Sequence, residues 1–379
     1  MMEKEIILVL TNNIGGLHSF RKEVIKAIVD AGYVVYISTP DDDGRAEYFE
    51  SIGCHILKTT FSRRGMNPVA DLKLMMAYRK IIKQLKPKAV LSYTIKPNVY
   101  GGMACRMTKT PQIANVTGLG DAVENGGWLQ KLTIFLYKIG IKRANQVYFQ
   151  NEINRDFCLK HHIADDRSII LPGSGVNLQH HVYQEYPSSD QKVRFLFIGR
   201  LLKDKGIEEY FETAKTIRAK YPDTEFQILG AVEGPYQSKL DELVGIGVIR
   251  HLGVTKDVRP FIGAAECTIM PSYHEGMSNV NLESAANGRP VITTDVPGCR
   301  ETVDDGISGY LVKPRNVQSL IEGVERFLEL PYEQKNKMGV EGRKKVERLF
   351  DRGIVVKAYL NAIKNVSGRD SLRATGGSL

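Results

Sequence analysis

Long apolar runs are missing from the 379-residue chain, and no stretch approaches the ~20 apolar residues of a membrane-spanning helix. Anything membrane-related therefore has to happen at a surface. The run Ile6–Leu10 follows Glu3-Lys4-Glu5 and is too short, and too acidic at its start, for a secretion signal. Cysteine is scarce: Cys54, Cys105, Cys158, Cys267 and Cys299 are odd in number, widely spaced and without a C-x-x-C pair. That usage argues against a disulfide framework and predicts a reduced, cytosolic chain. The pattern G-x-G-x-x-G is also absent, so Gly15 and Gly16 do not make a dinucleotide fingerprint. The histidine pairs 161–162 and 180–181 have no Cys or His at ligand spacing, and surface positions are expected for them.

Acidic residues are outnumbered, 43 against 52 lysines and arginines, which leaves a formal charge of +9. Such an excess suits an anionic partner: nucleic acid, an acidic lipid surface or a phosphorylated substrate. With 42% apolar and 25% charged residues the composition is that of a soluble globular protein, and the length exceeds what one core usually organises. Two domains are expected.

What is present is an alternation of β-branched runs with helical patterns. EIILVLT, YVVYIST, KAVLSY, PQIANV and QVYFQ precede a polar segment, and VRFLFIG, EFQILG, CTIMPS and PVITTDV follow it. Continuous apolar strands between amphipathic helices predict an α/β protein with two parallel sheets, each covered on both faces. The segment VYQEYPSSDQK, residues 182–192, lacks periodicity and reads as a linker, which places a first domain over 1–185 and a second over 186–350. IVVKAYLNAIKN begins a last helix, 351–366, expected to cross back to the first domain. Residues 367–379 have little to bury and read as a disordered tail.

FIGRLLKDKGIEEY starts as a strand and ends as a helix, so Gly199, Arg200, Lys205 and Gly206 fall in the turn at the sheet edge where ligands bind in open α/β sheets. Arginine offers a planar fork of donors and lysine a compact charge, a pairing suited to a diphosphate. The same residues also read as a solvated charged turn. SYHEGMSNVNLESAANGRP, residues 272–290, has a strand before it, Gly276 for close backbone approach, Ser278 or Asn279 as helix cap, and Asn287-Gly288-Arg289-Pro290 as a stop. Glu283 then sits in the first or second helical turn, where unpaired N–H groups attract phosphate. A carboxylate there can accept from paired hydroxyls such as those of a ribose, and Glu275 at the strand end can face a sugar. An exposed helix glutamate is the ordinary alternative.

The E-x7-E spacing after Pro-Ser, the upstream G-R-x4-K-G turn and the downstream G-x-P-V-I resemble the retaining glycosyltransferases of family 4, which have the GT-B fold of two Rossmann-like domains facing a central cleft. GLHSF at 16–20, FSRRGMNP at 61–68, SYTIKPNVYGG at 92–102 and NVTGLG at 115–120 are similar to the subgroup that extends polyprenyl-diphosphate-linked sugars in bacterial N-glycan and capsule assembly. The resemblance implies an acceptor-binding first domain and a nucleotide-sugar-binding second domain. It assigns Arg200 and Lys205 to the donor diphosphate, Glu283 to the ribose, Glu275 to the transferred sugar, and the Met277, Ser278 and Asn279 amides to phosphate. Gly199, Gly276, the Val254 backbone, and Gly15 and Gly16 of the first domain complete the donor set. Acceptor contacts fall on Arg63, Arg64, Lys96, Asn98, Asn115 and Gly118, with Thr117 standing among the catalytic residues beside Glu275, Arg200 and Lys205. Many family members carry a histidine near the end of a first-domain strand, where this chain reads Asn115-Val116-Thr117-Gly118. Asp41-Asp42-Asp43 follows Pro40 and reads as a polar loop rather than the metal-binding Asp-x-Asp of the other glycosyltransferase fold, so no metal and no cofactor beyond the UDP-sugar substrate is expected.

WLQKLTIFLYKIGIKR, residues 128–143, is apolar on two sides. Trp128, Leu129, Leu132, Phe135, Leu136 and Ile139 form one stripe and Ile134, Tyr137 and Ile141 lie opposite, with Lys131, Lys138 and Lys142 between. One face on the core and the other in an anionic lipid interface accounts for this, as does a core helix with one solvated stripe. The expectation is a metal-independent hexosyltransferase, peripheral on the inner face of the cytoplasmic membrane, moving an N-acetylhexosamine or hexose from a UDP-sugar to a polyprenyl-diphosphate-linked sugar. A UDP-sugar epimerase of the same shape and a basic nucleic-acid-binding module are the rivals. The latter lacks the basic residues interleaved with stacking aromatics that it requires, so no nucleic-acid partner is expected.

Overall fold

The computed structural model describes residues 4–40, 43–61, 67–119, 127–188 and 192–374. The chain divides into two units, one made of Met1–Ser174 with Gly353–Leu379 and the other of Gly175–Arg352.

In the first unit the described strands are β1 Ile6–Leu10, β2 Val34–Thr39, β3 His55–Lys58, β4 Ala89–Tyr93, β5 Gln112–Val116, β6 Gln146–Phe149 and β7 Ile169–Ile170. They pair in parallel in the order β3-β2-β1-β4-β5-β6-β7. Alternation along the strands feeds two cores. Ile7, Val9, Leu91 and Ile113 pack beneath helix Ile14–Asp30 and the C-terminal helix Arg352–Ala374, whose Val355, Tyr359, Ile363 and Val366 recur at helical spacing and are buried. Leu8, Leu10, Val90, Ala114 and Val116 face the other way, beneath helices Pro68–Leu85, Gly102–Thr108 and Gly127–Ile141.

The second unit repeats the plan with β8 Val193–Ile198, β9 Thr224–Leu229, β10 Ile249–His251, β11 Cys267–Met270, β12 Val291–Thr294 and β13 Gly309–Val312. All are parallel, in the order β10-β9-β8-β11-β12-β13. Phe195, Phe197, Phe226, Ile228 and Ile269 anchor its largest core.

Two expectations about boundaries need correction. The first unit ends at Ser174 rather than near residue 185, because the polar stretch that follows is tied into the second unit. Val176 N donates to Phe350 O at 2.8 Å, Tyr186 Oη to Glu266 O at 2.9 Å, and the fully buried Arg289 guanidinium to Gln184 O at 3.0 Å and Glu185 O at 2.8 Å. A sequence without periodicity thus became ordered backbone by supplying carbonyls to a buried cation. Residues 189–191 of the expected linker lie outside the described residues. The last helix, expected to stop at 366, has a helical backbone to Ala374. Nothing in VSGRDSLRA removes a backbone donor, and adding turns to an anchored helix needs no new nucleus.

Asn98 and Asn115 belong to this framework rather than to an open surface. Both are buried; Ser92 Oγ donates to Asn98 Oδ1 at 2.7 Å, Asn98 Nδ2 to Asn115 O at 2.8 Å, and Asn115 Nδ2 to Tyr359 Oη at 2.8 Å. The last bond joins the sheet to the C-terminal helix. Tyr359→Phe should leave the Asn115 amide donor buried without that partner and cost about 1–3 kcal/mol. A lowered thermal midpoint with the secondary structure retained is the expected result, and an unchanged midpoint would remove this bond from the account.

Candidate functional site

Several charged residues of the second unit lie at the C-terminal ends of its strands. After β8 the chain passes through Gly199 and Arg200 into a single turn at Lys203–Lys205 and then helix Ile207–Lys220. Gly206 makes that passage possible. It has φ +72°, and a side chain there would run into the Pro271 carbonyl. After β11 comes the loop of Ser272 to Met277, then helix Asn279–Ala286 capped by Ser278, whose Oγ accepts from Asn281 N.

Because β8 and β11 are neighbours, turn and loop meet. Lys205 Nζ lies 2.7 Å from Glu275 Oε1, with side chains only 19% and 17% exposed, and Ser272 Oγ donates to the same oxygen at 2.9 Å. Tyr273 N donates to Asp204 O at 2.8 Å, and Tyr273 Oη donates to Glu209 Oε1, also at 2.8 Å. Arg200 pairs with Glu233 at 3.0 Å, but both are about half exposed. That pair contributes little to stability and can exchange its carboxylate for another anion.

Glu283, in the second turn of helix Asn279–Ala286, has a different environment. Burial raises its carboxyl to about 7, against the opposing pull of Arg352. His181 Nε2 lies 4.0 Å from its Oε1. Burial is also the main cause that lowers His181, to about 4, with His180, Arg259 and Arg352 adding to it and Asn287 opposing. At neutral pH the imidazole is uncharged and leaves the carboxyl without a salt-bridge partner there. His181 is therefore a correction: it was expected at the surface and is 6% exposed. Its neighbour His180 is exposed, as expected.

The structure thus brings together Gly199, Arg200, Lys205, Glu275, Gly276, Met277, Ser278 and Asn279 along one edge. Val254, 74% exposed, follows β10 on the same edge. One amide assignment changes. Ser278 N already donates to Gly298 O at 2.7 Å, so it is not an open phosphate donor. Met277 is 7% exposed and its side chain packs on Val176, Leu282 and Phe350. Gly298, at φ +81°, allows the backbone of Glu275 to approach closely; a side chain would overlap it.

In the first unit Gly15 and Gly16 open helix Ile14–Asp30 just after β1, and Thr117 and Gly118 follow β5. These four also lie at C-terminal strand ends. Lys96 is a second correction: its Nζ is 2.9 Å from Asp71 Oδ1, a pair only 12% and 7% exposed, and Tyr100 Oη donates to the other Asp71 oxygen. With Asn98 and Asn115 in the framework, three assigned acceptor residues are structurally committed. Arg63 and Arg64 lie outside the described residues, as do Asp41 and Asp42. Sequence reading missed Glu233, His181 and Arg352, each distant along the chain from the group it faces, with no spacing signal to reveal it.

Comparison with known proteins agrees with this layout. The family model for glycosyl transferases group 1 matches residues 182–345, and that for glycosyl transferase 4-like proteins matches residues 7–151. The chain is 28% identical over 373 residues, 92% of its length and 97% of the relative's, to the N,N'-diacetylbacillosaminyl-diphospho-undecaprenol alpha-1,3-N-acetylgalactosaminyltransferase of Campylobacter jejuni. It is 31% identical over 359 residues, 84% of its length and 88% of the relative's, to TuaC of Bacillus subtilis, a glycosyltransferase assigned to teichuronic acid biosynthesis. The crystal structure of Anabaena HepE with UDP and glucose superimposes with a TM-score of 0.75 at 15% identity, covering 97% of this chain and 99% of that one. Two Rossmann-like parallel sheets, matched by group 1 and family 4-like models along most of the chain, identify it as a glycosyltransferase of that family with the GT-B fold.

Proposed function

We propose that this glycosyltransferase moves a hexose or N-acetylhexosamine from a UDP-sugar to a polyprenyl-diphosphate-linked sugar, with retention of configuration and without a metal, in bacterial glycan or surface-polysaccharide assembly. The observation that carries the donor half is the meeting of Lys205 and Glu275 at 2.7 Å on the sheet edge. An ammonium for a diphosphate and a carboxylate for a sugar are held side by side, beside an Arg200 whose surface partner is exchangeable. The acceptor half is supported by the relative that acts on a diphospho-undecaprenol-linked sugar, and the donor class by the UDP bound to HepE.

In this reading the sugar C1–O bond to the diphosphate breaks and UDP departs. An acceptor hydroxyl attacks the same face, and its proton passes to the leaving phosphate. Charge grows on that phosphate, and Lys205 and Arg200 are the preorganised groups that stabilise it. The acceptor is lipid-linked, so the enzyme works as a peripheral protein at the cytoplasmic membrane.

The direct test is a panel of UDP-sugars with polyprenyl-diphosphate-sugar acceptors, read by product mass. Transfer in the presence of EDTA supports the proposal, whereas release of free sugar alone would favour an epimerase. Arg200→Ala and Lys205→Ala should each lower kcat roughly 10²–10³-fold, by analogy with removing one oxyanion donor. Loss of wild-type activity in EDTA, restored by Mg²⁺ or Mn²⁺, would sink metal independence.

Glu283→Ala should weaken UDP itself, because a ribose contact persists in substrate and product. Glu275→Ala should damage turnover more than UDP binding, and calorimetry with UDP separates the two. Accepting from ribose hydroxyls uses the ionised carboxylate, yet burial holds Glu283 protonated up to about 7. UDP affinity should therefore fall as pH drops below that value, by up to about tenfold per unit. Glu283→Gln should abolish that share of the slope, and the difference between the two proteins cancels the titration of UDP. Parallel slopes would show that Glu283 does not meet the nucleotide.

A further inference from the structure

Three helices lie side by side on one face of the first sheet: Pro68–Leu85, Gly102–Thr108 and Gly127–Ile141. Their inner residues, Leu74, Tyr78 and Ile82, then Ala104 and Cys105, then Tyr137 and Ile141, complete the core. Large apolar side chains also stand on their outer sides. Trp128 is 72% exposed, Val69 65%, Leu72 58% and Phe135 57%, and Met76 and Met107 are exposed as well. These are isolated large side chains spread over three elements.

Among the described residues of the three helices, the exposed charge has one sign. Lys73, Lys80 and Lys83 are exposed on the first helix, Arg106 on the second and Lys131 on the third, with Lys142 and Arg143 just beyond it. The three helices carry a single carboxylate, Asp71, which points into the ion pair with Lys96 and is buried. Met76, Ala77, Arg79, Lys80, Lys83 and Gln84 surround a shallow depression of about 480 Å³ with three cations and no anion. Among the described residues that follow these helices, acidic side chains return on the next helix, Glu152–Lys160, at Glu152 and Asp156.

We infer that this three-helix face is a docking surface for an anionic lipid bilayer, with Val69, Leu72, Met76, Trp128 and Phe135 entering the interface and the lysines at headgroup level. Lone apolar anchors among cations of one sign match a fluid anionic surface, where charge attraction and apolar burial act together. The inference extends the lipid-linked acceptor reading from one helix to a whole face, and rests on that reading only for its biological purpose. Adsorption itself needs no catalysis.

The test uses the full chain with vesicles of phosphatidylglycerol and phosphatidylcholine, against phosphatidylcholine alone. The wild type should sediment with the anionic vesicles and much less with the neutral ones. Emission of Trp128, the only tryptophan, should shift to the blue, and high salt should weaken both effects. Leu72→Glu with Met76→Glu, Lys80→Glu with Lys83→Glu, and Phe135→Glu should each reduce partitioning by about tenfold or more. An unchanged circular dichroism spectrum and thermal midpoint would show that these variants are folded. Wild-type protein left in the supernatant would overturn the inference, as would Leu72 and Met76 variants that partition normally. So would a dimer, dissolved by Leu72→Glu, with no vesicle binding. Lost adsorption with retained transfer to a short-chain soluble acceptor would reject the docking surface alone, and adsorption without transfer to any acceptor would reject the proposed function alone.

Discussion

The contact on which the donor edge depends is the 2.7 Å approach of Lys205 Nζ to Glu275 Oε1. It joins the turn after β8 to the loop after β11, and other bonds converge on the same seam: Tyr273 to the Asp204 carbonyl and to Glu209, and Ser272 to Glu275. Partly buried ion pairs are poor sources of stability, because desolvation offsets much of the attraction. Their use here is geometric. A cation and a carboxylate with different proposed partners are fixed relative to each other before any ligand arrives, so little reorganisation remains for the reaction.

Parallel sheets explain why such a seam exists at all. Every strand in a parallel sheet ends on the same side, so turns distant in sequence collect along one edge. In the second unit Gly199, Val254 and Glu275 come from the ends of β8, β10 and β11. The first unit does the same with Gly15 after β1 and Thr117 after β5. The opposite requirement, cover on both faces, produces helices that are apolar inside. Helix Gly127–Ile141 and its two neighbours also carry several large apolar side chains on the outside, with cations among them.

The strands that could be read from sequence were those with a continuous apolar run, and all nine such runs are strands buried among neighbours. The others, β3, β7, β10 and β13, are the four sheet edges. An edge strand needs less apolar surface and is short: His55 and Lys58 at the ends of β3 are exposed, and β7 is only Ile169–Ile170. The site shows the same division. Residues singled out by local spacing, Arg200, Lys205 and Glu275, lie on one edge, with Glu283 on the helix that follows. That Asn98, Asn115 and Lys96 are buried and partnered was not legible, because a polar residue near a strand end looks alike whether it faces a ligand or completes a buried network. Only the partners, Tyr359 and Asp71, decide, and they lie far along the chain.

If Lys205 and Glu275 act as one preorganised unit, their effects on turnover must be coupled. A double-mutant cycle on kcat/KM, with Lys205→Ala, Glu275→Ala and the pair together, measures this directly. The account predicts strong non-additivity: the double variant should lose scarcely more activity than the worse single one, because removing either partner already releases the other. Losses that simply multiply would contradict it, and would mean that the ammonium and the carboxylate meet their ligands independently.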